Sequence, residues 1–282
     1  MILDGKKTAE VIKNEIKSEI EKNNYQINLA TILVGDDPAS RLYIRNKKKA
    51  CEYVGINIFV YELPEKTTQE ELLNLLDKLN QDEKITGIFV QLPLPKHIDA
   101  KIIMQSIDEE KDVDGFHPLN LGKLLIGKPK FISCTPLAVV TLLDFYKIKT
   151  QGQNCVIIGR SIEVGKPLAL LMINLNSTVT ICHSYTRDLF ETTKKADILI
   201  SAVGKANFIK KEFIKSGATL IDIGMNKNPE TNKTCGDIDF EDCYLKAKNI
   251  TPVPGGIGPM TVTMLLKNCL LAHKLKLNTK AF

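Results

Sequence analysis

A chain of 282 residues with 44% hydrophobic and 25% charged side chains has ordinary globular composition and enough length for two cores, which excludes a disordered chain. Its net charge of +5 is mild, drawing anions such as phosphates and carboxylates but equally describing a lysine-rich solvated surface. No apolar run approaches the roughly 20 residues needed to span a bilayer, so no membrane partner is expected.

The opening residues MILDGKKTAE carry Asp4, Lys6 and Lys7 where the apolar core of an export signal would lie. The one dense basic run, Lys47-Lys48-Lys49, is too short to suggest a nucleic-acid surface. Seven cysteines form an odd set without a C-x-x-C pair, which reads as reduced core thiols of a cytoplasmic protein. The four histidines lack metal-ligand spacing, and no metal is expected.

Along the chain, β-type runs alternate with helical periods, the mark of parallel α/β units. Ala9, Ile12, Ile16 and Ile20 predict an amphipathic first helix. Strands are predicted at Leu29–Val34, Ile56–Tyr61 and Ile85–Gln91, with helices after Pro38 and over Gln69–Leu79. This half holds no glycine-rich phosphate loop and reads as a substrate domain, 1–120. From Phe116 to Pro136 the texture turns irregular, leading into a helix over Leu137–Tyr146. A second series of strands follows at Cys155–Ile158, Thr178–Cys182, Asp197–Ala202 and Thr219–Ile223. The stiff loop Thr251-Pro-Val-Pro-Gly-Gly-Ile-Gly-Pro259 then feeds a helix over Thr261–Lys274. The second domain is set at 121–282.

The strand Cys155–Ile158 runs straight into Gly159-Arg-Ser-Ile-Glu-Val-Gly165-Lys-Pro167. Gly159 suits the sharp turn, Gly165 a close backbone approach, and Pro167 the first helical turn, whose free N–H groups favour a phosphate. The spacing is not G-x-G-x-x-G, and any tight strand-to-helix turn could look similar. The next strand ends in Cys182-His183-Ser184-Tyr185-Thr186-Arg187, with no acid to hold ribose hydroxyls until Asp188. Arg160 and Ser184 as donors then favour the 2′-phosphate of NADP over NAD.

Asp37 and Pro38 make a good helix start, and Ser40, Tyr43 and Lys47 follow at i, i+3 and i+7 on one face, continued by Ala50 and Val54. A lysine on an apolar stripe is expensive to bury, and desolvation lowers its pKa, making it a proton donor, acceptor or electrostatic stabiliser. It could also be a snorkelling surface lysine. Gln91-Leu92-Pro93-Leu-Pro95 puts an amide at the carboxyl end of a strand, the edge where open α/β sheets bind ligands. Asp112-Val-Asp114-Gly-Phe116 is either a turn-forming Asp-Gly step or a carboxylate that grips an amidine-like N–H edge.

Taken in order, Ala39-Ser40-x-x-Tyr43-x-x-x-Lys47, Gln91–Pro95, Asp112–Phe116, Gly159–Pro167, Gly236-Asp-Ile-Asp239 and Thr251–Thr261 are highly specific. They resemble the bifunctional methylenetetrahydrofolate dehydrogenase/methenyltetrahydrofolate cyclohydrolase family, and the match runs from Ile2-Leu-Asp-Gly5 to the terminal helix. The resemblance implies a two-domain α/β enzyme, with folate in a cleft between a substrate domain and a Rossmann-like NADP domain. The terminal helix is implied to pack back towards the first domain, and the chain to form a homodimer through the second. Lys47 would be central to hydrolysis, Tyr43 would position substrate, Gln91 would hold Lys47 and Asp114 would bind the pterin edge. Ser40, Leu92, Pro93, Pro252, Gly255 and Gly256 would help line the folate site.

The implied cofactor set begins with Thr135 and the turn residues Gly159, Arg160, Ser161, Val164, Gly165 and Pro167. It continues with His183, Ser184 and Thr186 after the second strand, Ala202, Val203 and Gly204 at the end of the third, and Asp222 and Gly224 at the end of the fourth. One departure stands out: the family commonly shows Pro-Cys-Thr-Pro-x-Gly where this chain has Ser133-Cys-Thr-Pro-Leu-Ala138, which touches no residue expected to do chemistry. A shikimate-dehydrogenase-like enzyme would explain the second half but leave Tyr43, Lys47, Gln91 and Asp114 without purpose. A non-catalytic nucleotide-binding regulator would be marked by missing catalytic residues. A dehydrogenase lacking the hydrolytic step would keep the same fold.

Overall fold

The computed structural model describes residues 1–229 and 231–280. The chain folds as two compact units: Val11–Ile132 together with the segment from Val262 on, and Met1–Glu10 together with Ser133–Thr261.

In the first unit, α1 (Gly5–Asn23, from Val11 on) precedes β1 (Asn28–Val34), α2 (Pro38–Val54), β2 (Asn57–Leu63), α3 (Gln69–Gln81), β3 (Gly87–Val90), α4 (Ala100–Gln105) and α5 (Pro118–Leu125). The three strands are parallel in the order β2-β1-β3. The central strand β1 is therefore buried almost throughout and reads as a continuous apolar run. Its core joins Ala30, Ile32 and Val34 to Leu72, Leu76 and Leu79 of α3 and to Ile88 and Val90 of β3. Helix starts follow local chemistry: Asp37 accepts from the Ser40 N–H with Pro38 at the first turn, and Thr68 and Glu71 form a capping box on α3.

The second unit contains α6 (Cys134–Phe145), β4 (Asn154–Ile158), α7 (Gly165–Asn174), β5 (Thr178–Cys182), α8 (Leu189–Thr193), β6 (Ile198–Ser201), β7 (Thr219–Asp222), β8 (Asn226–Lys227), β9 (Thr234–Cys235), α9 (Phe240–Tyr244) and β10 (Asn249–Ile250). Its main sheet is parallel in the order β10-β7-β6-β4-β5, with β8 and β9 as a separate antiparallel pair. The chain moves from β4 outward to β5 and then returns to the other side of β4, so the topological switch point lies between β4 and β6. The last helix, α10 (Ile257–Lys280), begins in this unit and continues in the first.

Three boundaries differ from the sequence expectation. The units divide at 132/133 rather than after 120, because the Asn120 side chain donates to the Asp112 carboxylate and the Glu109 carbonyl, tying α5 to the first unit. Met1–Glu10 counts with the second unit, because the Leu3 amide donates to Ile250 O and the Ile250 amide to Met1 O, extending the sheet beyond β10. The terminal helix starts at Ile257, not Thr261, since Pro259 is tolerated within a first turn. Where the chain departs from the expected Pro-Cys-Thr-Pro-x-Gly pattern, Ser133 precedes α6 and Ala138 is fully buried within it.

Candidate active site

The buried stripe of α2 is Ser40, Ile44, Lys47, Cys51 and Val54, spaced alternately four and three residues apart. Tyr43 and Ala50, which the sequence put on that stripe, lie on its flank: Tyr43 is 37% exposed and Ala50 half-buried. Lys47 is inside, at 7% exposure, so it does not snorkel.

A side-chain amide and an aromatic ring lie against its ammonium. Lys47 Nζ donates to Gln91 Oε1 at 2.8 Å and stands 3.4 Å from the centre of the Phe89 ring. Phe89 and Gln91 are two apart on one extended segment and so share a face. The Gln91 amide donates to Ile32 O, which fixes the residue just past the carboxyl end of β3 against β1. Its side-chain Nε2 donates to Leu92 O at 2.6 Å, leaving Oε1 to face the lysine. The Leu92–Pro93 peptide is cis.

Burial is felt by the neighbours of Lys47 too. Burial raises the Tyr43 phenol above its ordinary range. Burial pushes the Cys51 thiol up to about 12, with the Lys47 charge pulling weakly the other way. Burial likewise pushes Cys269 well up, and the charges of Cys51 and Asp114 add to it. Cys51 and Cys269 therefore stay neutral thiols.

The two acids of the Asp112–Phe116 turn differ in burial. Asp112, 1% exposed, accepts from the amides of Gly115, Phe116 and His117 and from Asn120 Nδ2, at 2.8 to 3.2 Å. Burial nevertheless raises its pKa against those donors. Asp114 stays half-buried. A Cβ on Gly87 would lie 2.5 Å from Val113, so the turn is packed directly on β3, the strand that leads to Gln91.

In the second unit the turn after β4 brings backbone close against backbone at two glycines. Gly159 has φ 137°, and a Cβ there would meet the Ala202 carbonyl at 2.7 Å. A Cβ on Gly165 would overlap the Gly159 carbonyl. No side chain caps α7, while Ser161 Oγ accepts from the Val164 amide at 3.1 Å and shapes the turn. The start of α7 suits an anion, and the glycines let its backbone approach one. The Gly159 amide donates to Cys182 O, which places the turn bearing Arg160 beside the one bearing Ser184. The Thr186 hydroxyl accepts from the His183 amide and holds that second turn. Arg160 and Ser184 are both exposed, with the Arg160 guanidinium 5.6 Å from the Tyr185 ring centre.

Two expected cofactor residues prove to be internal. Asp222, 3% exposed, accepts from the amides of Gly224, Asp237 and Ile238 at 2.7 to 3.0 Å. Burial, aided by the Asp237 charge, raises it to about 7 against those three donors. Gly224 is buried, with no room for a Cβ beside the Asp237 carboxylate. Both hold the loop from within, because the carboxylate points back at its own backbone. Thr135 Oγ1 lies 3.2 Å from Thr261 Oγ1. The Pro252–Gly256 loop is fastened to the N-terminal segment: Lys6 donates to Gly255 O, and a Cβ on Gly5 would overlap the Gly256 carbonyl.

Sequence reasoning missed Phe89, Asp112 and Asp237. Only Phe89 left a readable signal, its two-residue spacing from Gln91.

Residues 3–114 match the catalytic domain of the tetrahydrofolate dehydrogenase/cyclohydrolase family, and residues 133–277 match its NAD(P)-binding domain. The "Bifunctional protein FolD" of Lachnoclostridium phytofermentans is 53% identical over 277 residues, 97% of this chain and 98% of that one. The crystal structure of the bifunctional FolD methylenetetrahydrofolate dehydrogenase/cyclohydrolase from Campylobacter jejuni superposes with a TM-score of 0.95 at 46% identity, covering 98% of this chain and 99% of that one. The Trypanosoma brucei methylenetetrahydrofolate dehydrogenase-cyclohydrolase, complexed with NADP cofactor and inhibitor, superposes at 0.94 with 37% identity and 98% of each chain covered.

Proposed function

Because the chain belongs to the tetrahydrofolate dehydrogenase/cyclohydrolase family, we propose that it oxidises 5,10-methylenetetrahydrofolate with NADP+ and hydrolyses the product to 10-formyltetrahydrofolate. When bound, the cofactor accepts a hydride from the one-carbon bridge and leaves a methenyl cation. Water adds to that carbon, a proton is released, and the bond to N5 opens so that the formyl group stays on N10.

The observation that carries this reading is the buried Lys47 ammonium, bonded to Gln91 Oε1 at 2.8 Å at the carboxyl edge of β3. The methenyl carbon is already electrophilic, so the step needs an oriented water and a place for its proton. Lys47 manages that proton, Gln91 holds Lys47 in register, and Tyr43 one turn earlier on α2 positions substrate. Ser40, Leu92 and Pro93 line the folate site beside them. Half-buried Asp114 takes the N–H edge of the pterin, with its turn held rigid by Asp112. The Pro252–Gly256 loop contributes to folate binding. Arg160 and Ser184 hold the 2′-phosphate of NADP, with the β4 turn on the pyrophosphate. His183, Thr186 and Ala202–Gly204 shape the rest of that site.

Family membership also supports a homodimer through the second unit. Its β5 is an edge strand, with Ile173, Leu175 and Ile181 exposed on or just before it. Seven cysteines outside any disulfide suit a reducing cytoplasm.

One experiment tests the central reading. Purified protein is given 5,10-methylenetetrahydrofolate with NADP+ or NAD+, and reduced cofactor and 10-formyl product are followed together. Both products are expected, faster with NADP+. Reduced cofactor with methenyl accumulation would mark a dehydrogenase alone, and faster turnover with NAD+ would overturn the cofactor assignment.

A further inference from the structure

Asp237 lies in the Gly236-Asp-Ile-Asp239 motif, yet neither folate nor cofactor chemistry gave it a role. It is fully buried, and its carboxylate takes four hydrogen bonds. Oδ2 accepts from the Val203 amide at 2.7 Å and from Ser201 Oγ at 3.0 Å. Oδ1 accepts from the Lys205 amide at 3.0 Å and from Asn226 Nδ2 at 2.9 Å. Four donors fill the four lone-pair positions of a carboxylate, which offsets the cost of burying it beside Asp222.

The donors are not scattered. Ser201, Val203 and Lys205 belong to the end of β6 and the loop that follows it. Asn226 opens β8 just beyond the end of β7. The β6 loop stands at the switch point of the sheet, with its Ala202 carbonyl packed against Gly159 of the phosphate turn. Asp237 is itself fixed from behind, because its amide and that of Ile238 donate to Asp222 at 3.0 and 2.7 Å. Side chains at Gly224 or Gly236 would overlap the two carboxylates.

Resting on the NADP reading above, we propose that Asp237 is a positioning residue of the dinucleotide site: a strut that locks the β6 loop to the segment after β7 and thereby holds Val203 and Gly204 in place beside the phosphate turn. Asp222 is its footing. The loop's ends are also held by backbone, through the Ala202 amide on Ile158 O and the Asn207 amide on Gly236 O, but the Asp237 carboxylate is what receives the amides of Val203 and Lys205 between them. An asparagine would turn an NH2 group on the Lys205 amide or the Val203 amide in either of its orientations, so Asp237→Asn releases one anchor of the loop without removing volume.

The test measures NADPH affinity by calorimetry, methenyltetrahydrofolate hydrolysis and melting temperature for wild type, Asp237→Asn and Ser201→Ala. Hydrolysis needs no dinucleotide, so it serves as the folding control. Asp237→Asn is expected to weaken NADPH binding about tenfold or more, as one misdirected buried hydrogen bond does, and Ser201→Ala a few-fold. Hydrolysis is expected to stay within about twofold of wild type. Unchanged NADPH affinity in folded Asp237→Asn overturns the proposal. So does a parallel loss of hydrolysis and affinity in both variants, which marks a purely structural residue. Wild-type protein that binds no NADPH at all would instead refute the NADP reading on which the proposal rests.

Discussion

At the scale of single residues, the lysine is the decisive group. An ammonium at 7% exposure is costly unless its hydrogens are received, and here an amide oxygen and an aromatic face receive it. The amide oxygen fixes where the nitrogen sits, as the proposed proton-handling role requires. Lys47→Ala is expected to lower methenyltetrahydrofolate hydrolysis by about 100-fold or more while NADPH affinity and melting temperature hold near wild type. Hydrolysis that survives in a folded variant removes Lys47 from the chemistry. The sequence exposed Lys47 because an i, i+3, i+7 spacing is a local property of a helix. It put Tyr43 and Ala50 on the buried stripe, whereas Ile44 and Cys51 occupy it, since spacing alone leaves a helix face uncertain by one residue.

At the scale of elements, the strand-turn-helix after β4 is the most legible part of the chain, because glycine and proline act through their own backbones. Gly159 at φ 137° and Pro167 in the first turn of α7 follow from residue type. Gly165 is there for a tertiary reason as well, since any side chain would strike the Gly159 carbonyl. Gly165→Ala therefore has to displace backbone, at a cost of about 1 to 3 kcal/mol. Its signature is a raised KM for NADP+ with hydrolysis of methenyltetrahydrofolate nearly unchanged. An unaltered KM in this variant means that the helix start does not approach the cofactor. The loops after β6 and β7 were not legible in this way. The resemblance put Asp222 in the cofactor set, and its carboxylate accepts from the amides of Asp237 and Ile238, 15 and 16 residues further on, partners that local sequence does not reveal.

At the scale of the whole molecule, the chain order and the structural units do not coincide. The segment from Val262 on completes a unit whose other residues precede Ser133. Asn268, 2% exposed, donates to the carbonyls of Val113 and Ile132, and Lys274 pairs with Glu19 at 2.6 Å. Met264, Leu265, Leu266 and Leu270 of the same segment are buried, and each such side chain contributes about 2 kcal/mol. A chain ending at Thr261 is expected to lose hydrolysis and the cooperative melting transition of the unit that holds Lys47, as read by calorimetry. If the shortened chain hydrolyses methenyltetrahydrofolate at the wild-type rate, the terminal helix is dispensable to that unit.

By itself the sequence determined the alternation of strands and helices, the glycine turn after β4, the lysine-bearing helix and, through the order of its motifs, the family. These depend on residue type and on neighbours within a few turns of chain. The contact of Lys47 with Gln91 was implied by the resemblance and is made in the structure across 44 residues. Only the tertiary structure decided that Phe89 lies beneath Lys47, that Asp112 accepts from the amides of its own turn, and that Asp237 joins two loops. The physical reason is the same in each case. The cost of burying a polar or charged group is settled by the partner that satisfies it, and folding brings that partner from a distant part of the chain.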